Sequence, residues 1–179
     1  MKILITGSEG FIGSHLVEKL ISKGAKINAF VQYNSFNHYG WLDTLTKDKL
    51  KKIQIFSGDV RDPNSVTDAV KKSDVIINLA ALIGIPYSYK SPKSYIDTNI
   101  LGIFNILEAA KNFNIKKIIH TSTSEIYGSA KFIPITENHP INTQSPYSAS
   151  KASADQIAMS YFYSYKLPVT ILRPFNTYG

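Results

Sequence analysis

The stretch Lys2-Ile3-Leu4-Ile5-Thr6-Gly7-Ser8-Glu9-Gly10-Phe11-Ile12-Gly13 decides the fold. A short apolar run meets glycines spaced G-x-x-G-x-x-G, and an amphipathic run from Phe11 to Lys23 follows. This order predicts a buried strand, a tight turn and a helix. Each glycine has its own task. Gly7 permits the turn, Gly10 lets the backbone approach a pyrophosphate, and Gly13 lets the helix pack closely on the sheet. The helix N-terminus, at Phe11 and Ile12, presents free N–H groups and a positive dipole end to phosphates. An ordinary glycine-rich turn would use the same residues, but a strand before it and a helix after it favour a dinucleotide loop.

Outward from this loop, short β-branched runs alternate with longer amphipathic ones. Strands are predicted over Lys2–Thr6, Lys26–Val31, Ile53–Ser57, Val75–Leu79, Lys117–Thr121 and Pro168–Leu172. Helices are predicted over Phe11–Lys23, Ser65–Lys71, Lys93–Phe113 and Pro146–Tyr165, with a further short one within Trp41–Lys49. Mostly apolar strands separated by helices predict an α/β fold, a doubly wound parallel sheet between two helix layers, with right-handed crossovers. There is no internal repeat and no low-complexity linker.

Composition narrows the function classes. A chain of 179 residues with 44% apolar and 18% charged residues suits one packed domain. It has no cysteine, which excludes disulfides, thiolate metal sites and a cysteine nucleophile. No metal site is expected. No apolar run approaches the roughly 20 residues that span a bilayer, and the N-terminal run is too short for a signal peptide. A cytoplasmic protein without a membrane partner is expected. The net charge of +7 comes from scattered lysines and only two arginines, Arg61 and Arg173. That is a solvated surface rather than a nucleic-acid site, although its field would attract an anionic nucleotide.

Dinucleotide folds often hold the adenine ribose with an acid at the end of strand two. Gln32 stands there, within Val31-Gln32-Tyr33-Asn34-Ser35, and neither an acid nor an arginine accompanies it. The cofactor is therefore NAD or NADP. Asp59 and Val60, after strand three, are expected near the adenine, with a turn cap as the competing role for Asp59.

Tyr147-Ser148-Ala149-Ser150-Lys151 puts a phenol and an ammonium on one helix face. A lysine charge nearby favours the phenolate of a tyrosine whose ordinary pKa is near 10. The same lysine can hold the nicotinamide ribose. Pro146 suits a helix start. Thr121-Ser122-Thr123-Ser124-Glu125-Ile126-Tyr127-Gly128, at the carboxyl end of strand five, offers hydroxyls to a substrate oxygen.

These segments, with Asn78-Leu79-Ala80-Ala81 and the closing Arg173-Pro174-Phe175-Asn176, resemble the extended short-chain dehydrogenase/reductases over essentially the whole chain. The resemblance implies that Thr123, Tyr147 and Lys151 are the catalytic triad. It implies that Leu79, Ala80 and Ala81 line the cofactor and that Asn99 is the family's structural asparagine beside it. It also implies a homodimer through helices 93–113 and 146–165, where Met159, Tyr161, Phe162 and Tyr165 supply apolar surface.

Thr123-Ser124-Glu125 resembles the catalytic segment of the family's nucleotide-sugar 4,6-dehydratases, whereas its 4-epimerases carry a small or neutral residue in place of the glutamate. In such enzymes hydride leaves sugar C4, the carboxylate removes the C5 proton, water leaves from C6 and hydride returns there. Acid–base help of this kind is worth about 10²–10⁴-fold. Related enzymes carry aspartate where Ser124 stands, so the acid for the leaving hydroxyl stays open. Tyr33-Asn34-Ser35-Phe36-Asn37, Gly40-Trp41-Leu42-Asp43 and Ala81–Ser88 are similar to the N-acetylglucosamine-nucleotide dehydratases of legionaminic-acid-type biosynthesis. That implies a UDP- or GDP-linked N-acetylhexosamine and a surface-polysaccharide role. A 4-epimerase and a non-catalytic dinucleotide-binding regulator are the alternatives; such regulators tend to lose the Tyr/Lys pair kept here. The family's small substrate lobe is expected to be absent, residues 1–179 being the dinucleotide-binding domain truncated before it, so this piece alone should be inactive.

Overall fold

The computed structural model of the chain describes residues 1–178; Gly179 lies outside the described residues. Six parallel strands, β1 (Lys2–Thr6), β2 (Lys26–Gln32), β3 (Ile53–Gly58), β4 (Val75–Asn78), β5 (Lys117–Thr121) and β6 (Val169–Leu172), form one sheet. Their order is β3-β2-β1-β4-β5-β6. The winding reverses between β1 and β4, and ligands bind an open parallel sheet in the crevice beyond the carboxyl ends at such a reversal.

The doubly wound sheet follows from the apolar runs. In β1, Ile3 and Ile5 pack with Val17 and Ile21 of α1 (Phe11–Ser22), while Leu4 packs on the other side with Val66, Ile103 and Ile118. Successive side chains of a strand point to opposite faces, so a strand apolar at every position needs a cover on both. Beyond α1, a short α2 (Lys47–Leu50) precedes β3. The second cover consists of α3 (Pro63–Val70), α6 (Gly102–Lys111) and α7 (Pro146–Tyr165).

Three helices differ from expectation. The one predicted from Ser65 begins at Pro63, because the Asp62 carboxylate accepts from the backbone N–H groups of Asn64 and Ser65 at 3.1 and 3.0 Å. The one predicted over Lys93–Phe113 consists of α5 (Pro92–Tyr95), a π-helical turn over Ile96–Leu101, and α6. Ile, Asp, Thr and Asn in that turn are weak α-helix formers. A six-residue helix, α4 (Ile85–Lys90), is too short for periodicity to reveal. By contrast α7 has the predicted limits. Ser145 and Ser148 cap each other reciprocally at its start, and Lys166 in the left-handed conformation ends it. Tyr161 is not at the outer surface: it is buried and donates its hydroxyl to Glu108 of α6.

Candidate active site

A cleft of about 730 Å³ runs across the carboxyl ends of the strands, from the glycine loop to α7. The loop is bolted to the sheet through Thr6. Its hydroxyl donates to Asn78 Oδ1 at 2.6 Å and accepts from the N–H groups of Leu79 and Ala80 at 3.2 and 3.1 Å. Leu79, Ala80 and Ala81 thereby line the cleft, as expected.

The glycines differ in what they exclude. Gly7 has φ +68°, and a Cβ there would sit 2.9 Å from Ala80 N. A Cβ on Gly13 would lie 2.1 Å from Gly7 O, so that glycine lets helix and loop touch. Gly10 has an ordinary φ of −75°, and its Cβ would meet only Gly7 O, at 3.3 Å. A Cβ at Gly10 would press on Gly7 O by a few tenths of an ångström, far less than at Gly13; the space left bare belongs to the cleft, in front of the N-terminus of α1. Phe11 and Ile12 flank that space and are exposed. This cradle fits a dinucleotide pyrophosphate.

Gln32, Asp59 and Val60 line one end of the cleft. Asp59 is more engaged than expected. Its carboxylate accepts from Arg61 N and Arg61 Nε, both at 2.9 Å, and the guanidinium beside it holds its pKa down. Arg61 also lines the cleft and went unnoticed in the sequence. So did Glu9, whose Oε1 accepts from the Gln32 N–H at 2.9 Å.

Asn99, expected beside the cofactor as a structural and cofactor-binding residue, makes structural contacts. It is buried in the π-helical turn and absent from the cleft wall. Its amide accepts from Leu82 N at 2.8 Å, donates to Leu82 O at 3.0 Å and donates to Ser150 Oγ at 2.9 Å. Asn99 therefore fixes the strand-four loop against α7.

At the other end, β5 delivers Thr123, Ser124 and Glu125, and α7 delivers Tyr147 and Lys151. Thr123 caps the 3₁₀ turn Ser124–Tyr127, accepting from Glu125 N at 3.2 Å. Burial pushes the Tyr147 phenol above its usual pKa; the Thr123 hydrogen bond pulls it down, and the negative charge of Glu125 pushes it up. Lys151 is 3% exposed, and its Nζ donates to Thr121 O at 2.6 Å. Burial lowers its pKa to about 8, with Asp155 opposing the shift. The phenol, the threonine hydroxyl, the buried ammonium and an exposed carboxylate thus share one pocket, which suits moving a proton at one carbon-bound oxygen and another at a neighbouring carbon.

Beneath this pocket lies a network that the sequence reading missed. Asp155 Oδ2 accepts from Arg173 Nε at 3.0 Å, its Oδ1 is 3.5 Å from His120 Nε2, and Arg173 donates to the Tyr127 hydroxyl at 2.9 Å. Tyr147, Lys151 and Asp155 are spaced four apart on α7, and that spacing is the signal that could have found it. Tyr95, buried with its hydroxyl donating to Gly84 O at 2.6 Å, stands edge-on to the Tyr147 ring.

The sequence pattern of the family described as GDP-mannose 4,6 dehydratase matches residues 4–179. The chain belongs to this family. Family members are nucleotide-sugar 4,6-dehydratases and 4-epimerases of the extended short-chain dehydrogenase/reductase kind, and the resemblance read from the sequence holds. The CapI protein of Staphylococcus aureus is 40% identical over all of this chain and 55% of its own length. The family fold recurs in a UDP-N-acetylglucosamine 4-epimerase of Methanobrevibacter ruminantium solved with UDP-N-acetylmuramic acid. Its TM-score is 0.89 at 34% identity, over 99% of this chain and 56% of that one. It recurs also in DesIV of Streptomyces venezuelae, a dTDP-glucose 4,6-dehydratase solved with NAD, with a TM-score of 0.82 at 30% identity over 97% and 55% of the two chains. The chain spans about half the length of these relatives. No helix among the described residues is long and apolar enough to cross a membrane.

Proposed function

We propose that the chain carries the nicotinamide-dinucleotide site and the catalytic residues of a nucleotide-sugar 4,6-dehydratase acting on a UDP- or GDP-linked N-acetylhexosamine, the sugar-binding surface coming from the further length that its relatives have. One observation carries the reading: the Glu125 carboxylate stands in the same cleft as Tyr147 and Lys151, close enough for its charge to act on the Tyr147 phenol. An oxidoreductase that only oxidised and reduced C4 would have no use for a second base there. A nicotinamide dinucleotide, when bound, supplies the two-electron acceptor for oxidation at sugar C4, as the NAD-bound state of DesIV supports for that relative.

The chain's own groups do the proton work. Tyr147 Oη takes the proton of the C4 hydroxyl, which the Thr123 hydroxyl orients. The Lys151 ammonium, which donates to Thr121 O in the structure, would stabilise the phenolate that this step requires by turning towards it. The 4-keto group then acidifies C5, and the Glu125 carboxylate removes that proton while the C6 hydroxyl leaves with a proton as water. The hydride taken from C4 returns to C6 with a proton to C5, so that the sugar loses one water in all. Water must be kept from the oxidised sugar, and the apolar edges of Ile83, Ile85 and Tyr87 line the cleft there.

The TM-score of 0.89 to an epimerase supports 4-epimerisation as the second reading. Substitution separates the two. With nucleotide sugar supplied to the complete protein, Glu125→Gln should accumulate reduced cofactor, seen by its absorbance, without dehydrated product. Tyr147→Phe should accumulate neither. Dehydration by Glu125→Gln at the unsubstituted rate would refute the role given to Glu125, and a product of the unsubstituted protein that keeps its mass and differs only in configuration at C4 would refute the dehydratase reading in favour of the epimerase.

A further inference from the structure

Gln32 ends β2, where dinucleotide sites commonly hold the adenosine ribose with a carboxylate, and it carries no charge. A carboxylate nevertheless reaches this place from the glycine loop. Glu9 Oε1 accepts from the Gln32 N–H at 2.9 Å, and Glu9 lines the cleft beside Gln32. The residue is clamped from behind. Its carbonyl accepts from Trp41 N at 2.9 Å, and Gly40, at φ +55°, lies so close that a Cβ would come within 2.7 Å of Glu9 O.

The second carboxylate oxygen, Oε2, is shielded from solvent and has no hydrogen-bond partner. A carboxylate has about four acceptor sites, and Gln32 uses one. Leaving a buried carboxylate oxygen unpaired is costly, and such groups in native folds call for an explanation. No structural partner supplies one here.

The cations of the cleft point the same way. Among the described residues lining it they are Arg61 and Lys151. The Arg61 guanidinium turns its Nε and Nη2 to Asp59, whose carboxylate offsets its charge, and Lys151 Nζ, at the catalytic end, donates to Thr121 O. Two carboxylates, Glu9 and Asp59, thus face the single guanidinium of Arg61 at the Gln32 end, so that end of the cleft carries no net positive charge for a phosphate.

We infer that Glu9 is the specificity residue of the cofactor site: it accepts a hydrogen bond from the adenosine ribose 2′-hydroxyl and so selects NAD over its 2′-phosphorylated form, NADP. A hydroxyl donates to the carboxylate. A 2′-phosphate has no proton to donate at neutral pH and brings two anions together. The inference rests on the dinucleotide reading of the cleft given above.

Calorimetric titration of the chain with NAD and with NADP tests it, with Glu9→Gln as the variant. The amide keeps the size of the carboxylate and still accepts from Gln32 N–H. The unsubstituted chain should bind NAD at least tenfold tighter than NADP, and Glu9→Gln should shrink that ratio by roughly tenfold, the worth of one charge-assisted hydrogen bond. Equal affinities in the unsubstituted chain, or a ratio unmoved by Glu9→Gln, would overturn the inference while leaving the dinucleotide site intact. Failure of both nucleotides to bind would overturn the inference and the dinucleotide reading together. A thermal melt identifies a Glu9→Gln chain that does not fold, and in that case the ratio in the unsubstituted chain decides alone.

Discussion

Replacing Lys151 with methionine should change how stability depends on pH. Burial lowers the Lys151 pKa from 10.5 to about 8, because the charged form has left water and Asp155 only partly compensates. Between those values the unfolded chain holds a proton at this lysine that the folded chain has lost. Stability therefore rises with pH across that window. The contribution is fully present above pH 10.5 and is lost as pH falls through about 8. A difference of some two and a half units corresponds to about 3 kcal/mol. Other groups titrate nearby: Tyr161, pushed up by burial and by Glu108, acts with the opposite sign at the alkaline end. The stability of Lys151→Met subtracted from that of the unsubstituted chain cancels them. Urea unfolding at a series of pH values should show that difference growing in favour of the lysine chain by about 3 kcal/mol from pH 7 to above pH 10. A flat difference would refute the reasoning, since it would mean that Lys151 is not desolvated in the folded protein.

The glycine loop yields two opposed outcomes. Gly10→Val should melt closer to the unsubstituted temperature than Gly13→Ala does, yet lose dinucleotide binding by calorimetry, because its side chain enters the space of the pyrophosphate. Gly13→Ala, whose Cβ would be driven to 2.1 Å from Gly7 O, should lower stability by about 2 kcal/mol or more in a thermal melt. Leu101 and Phe104 on one helical segment and Phe162 and Tyr165 on α7 are exposed, and we propose that a second copy covers them. Light scattering should report a dimer, and Phe162→Glu should shift it towards monomer.

The parts of the site built from neighbours in sequence were legible. The alternation of apolar strands and helices along the chain sufficed for the doubly wound parallel sheet, strand, glycine turn and helix within residues 2–23 for the loop at the mouth of the cleft, and the four-residue spacing of Tyr147 and Lys151 for their shared helix face. What escaped depends on contacts made over long separations. Glu9 meets Gln32 across 23 positions, so the lack of an acid at the end of β2 looked like a lack of an acid at the ribose. Asp155, His120 and Arg173 converge from α7, β5 and the segment after β6, and no local pattern joins them. The partners of Asn99, expected as a structural residue, were not legible either. Its amide satisfies the backbone of Leu82, a loop residue whose needs appear only once β4 has folded. The expected activation of Tyr147 by Lys151 is also incomplete in the structure, where burial dominates the phenol and the ammonium is turned to Thr121 O.

The central claim is that Tyr147, Lys151, Thr123 and Glu125 together remove water from a nucleotide sugar. The most direct measurement is mass spectrometry of the sugar after incubating the complete protein with NAD and UDP-N-acetylglucosamine or its GDP-linked counterpart. The account predicts a product lighter than its substrate by one water, carrying a 4-keto group. A product of unchanged mass, differing only in configuration at C4, would contradict it.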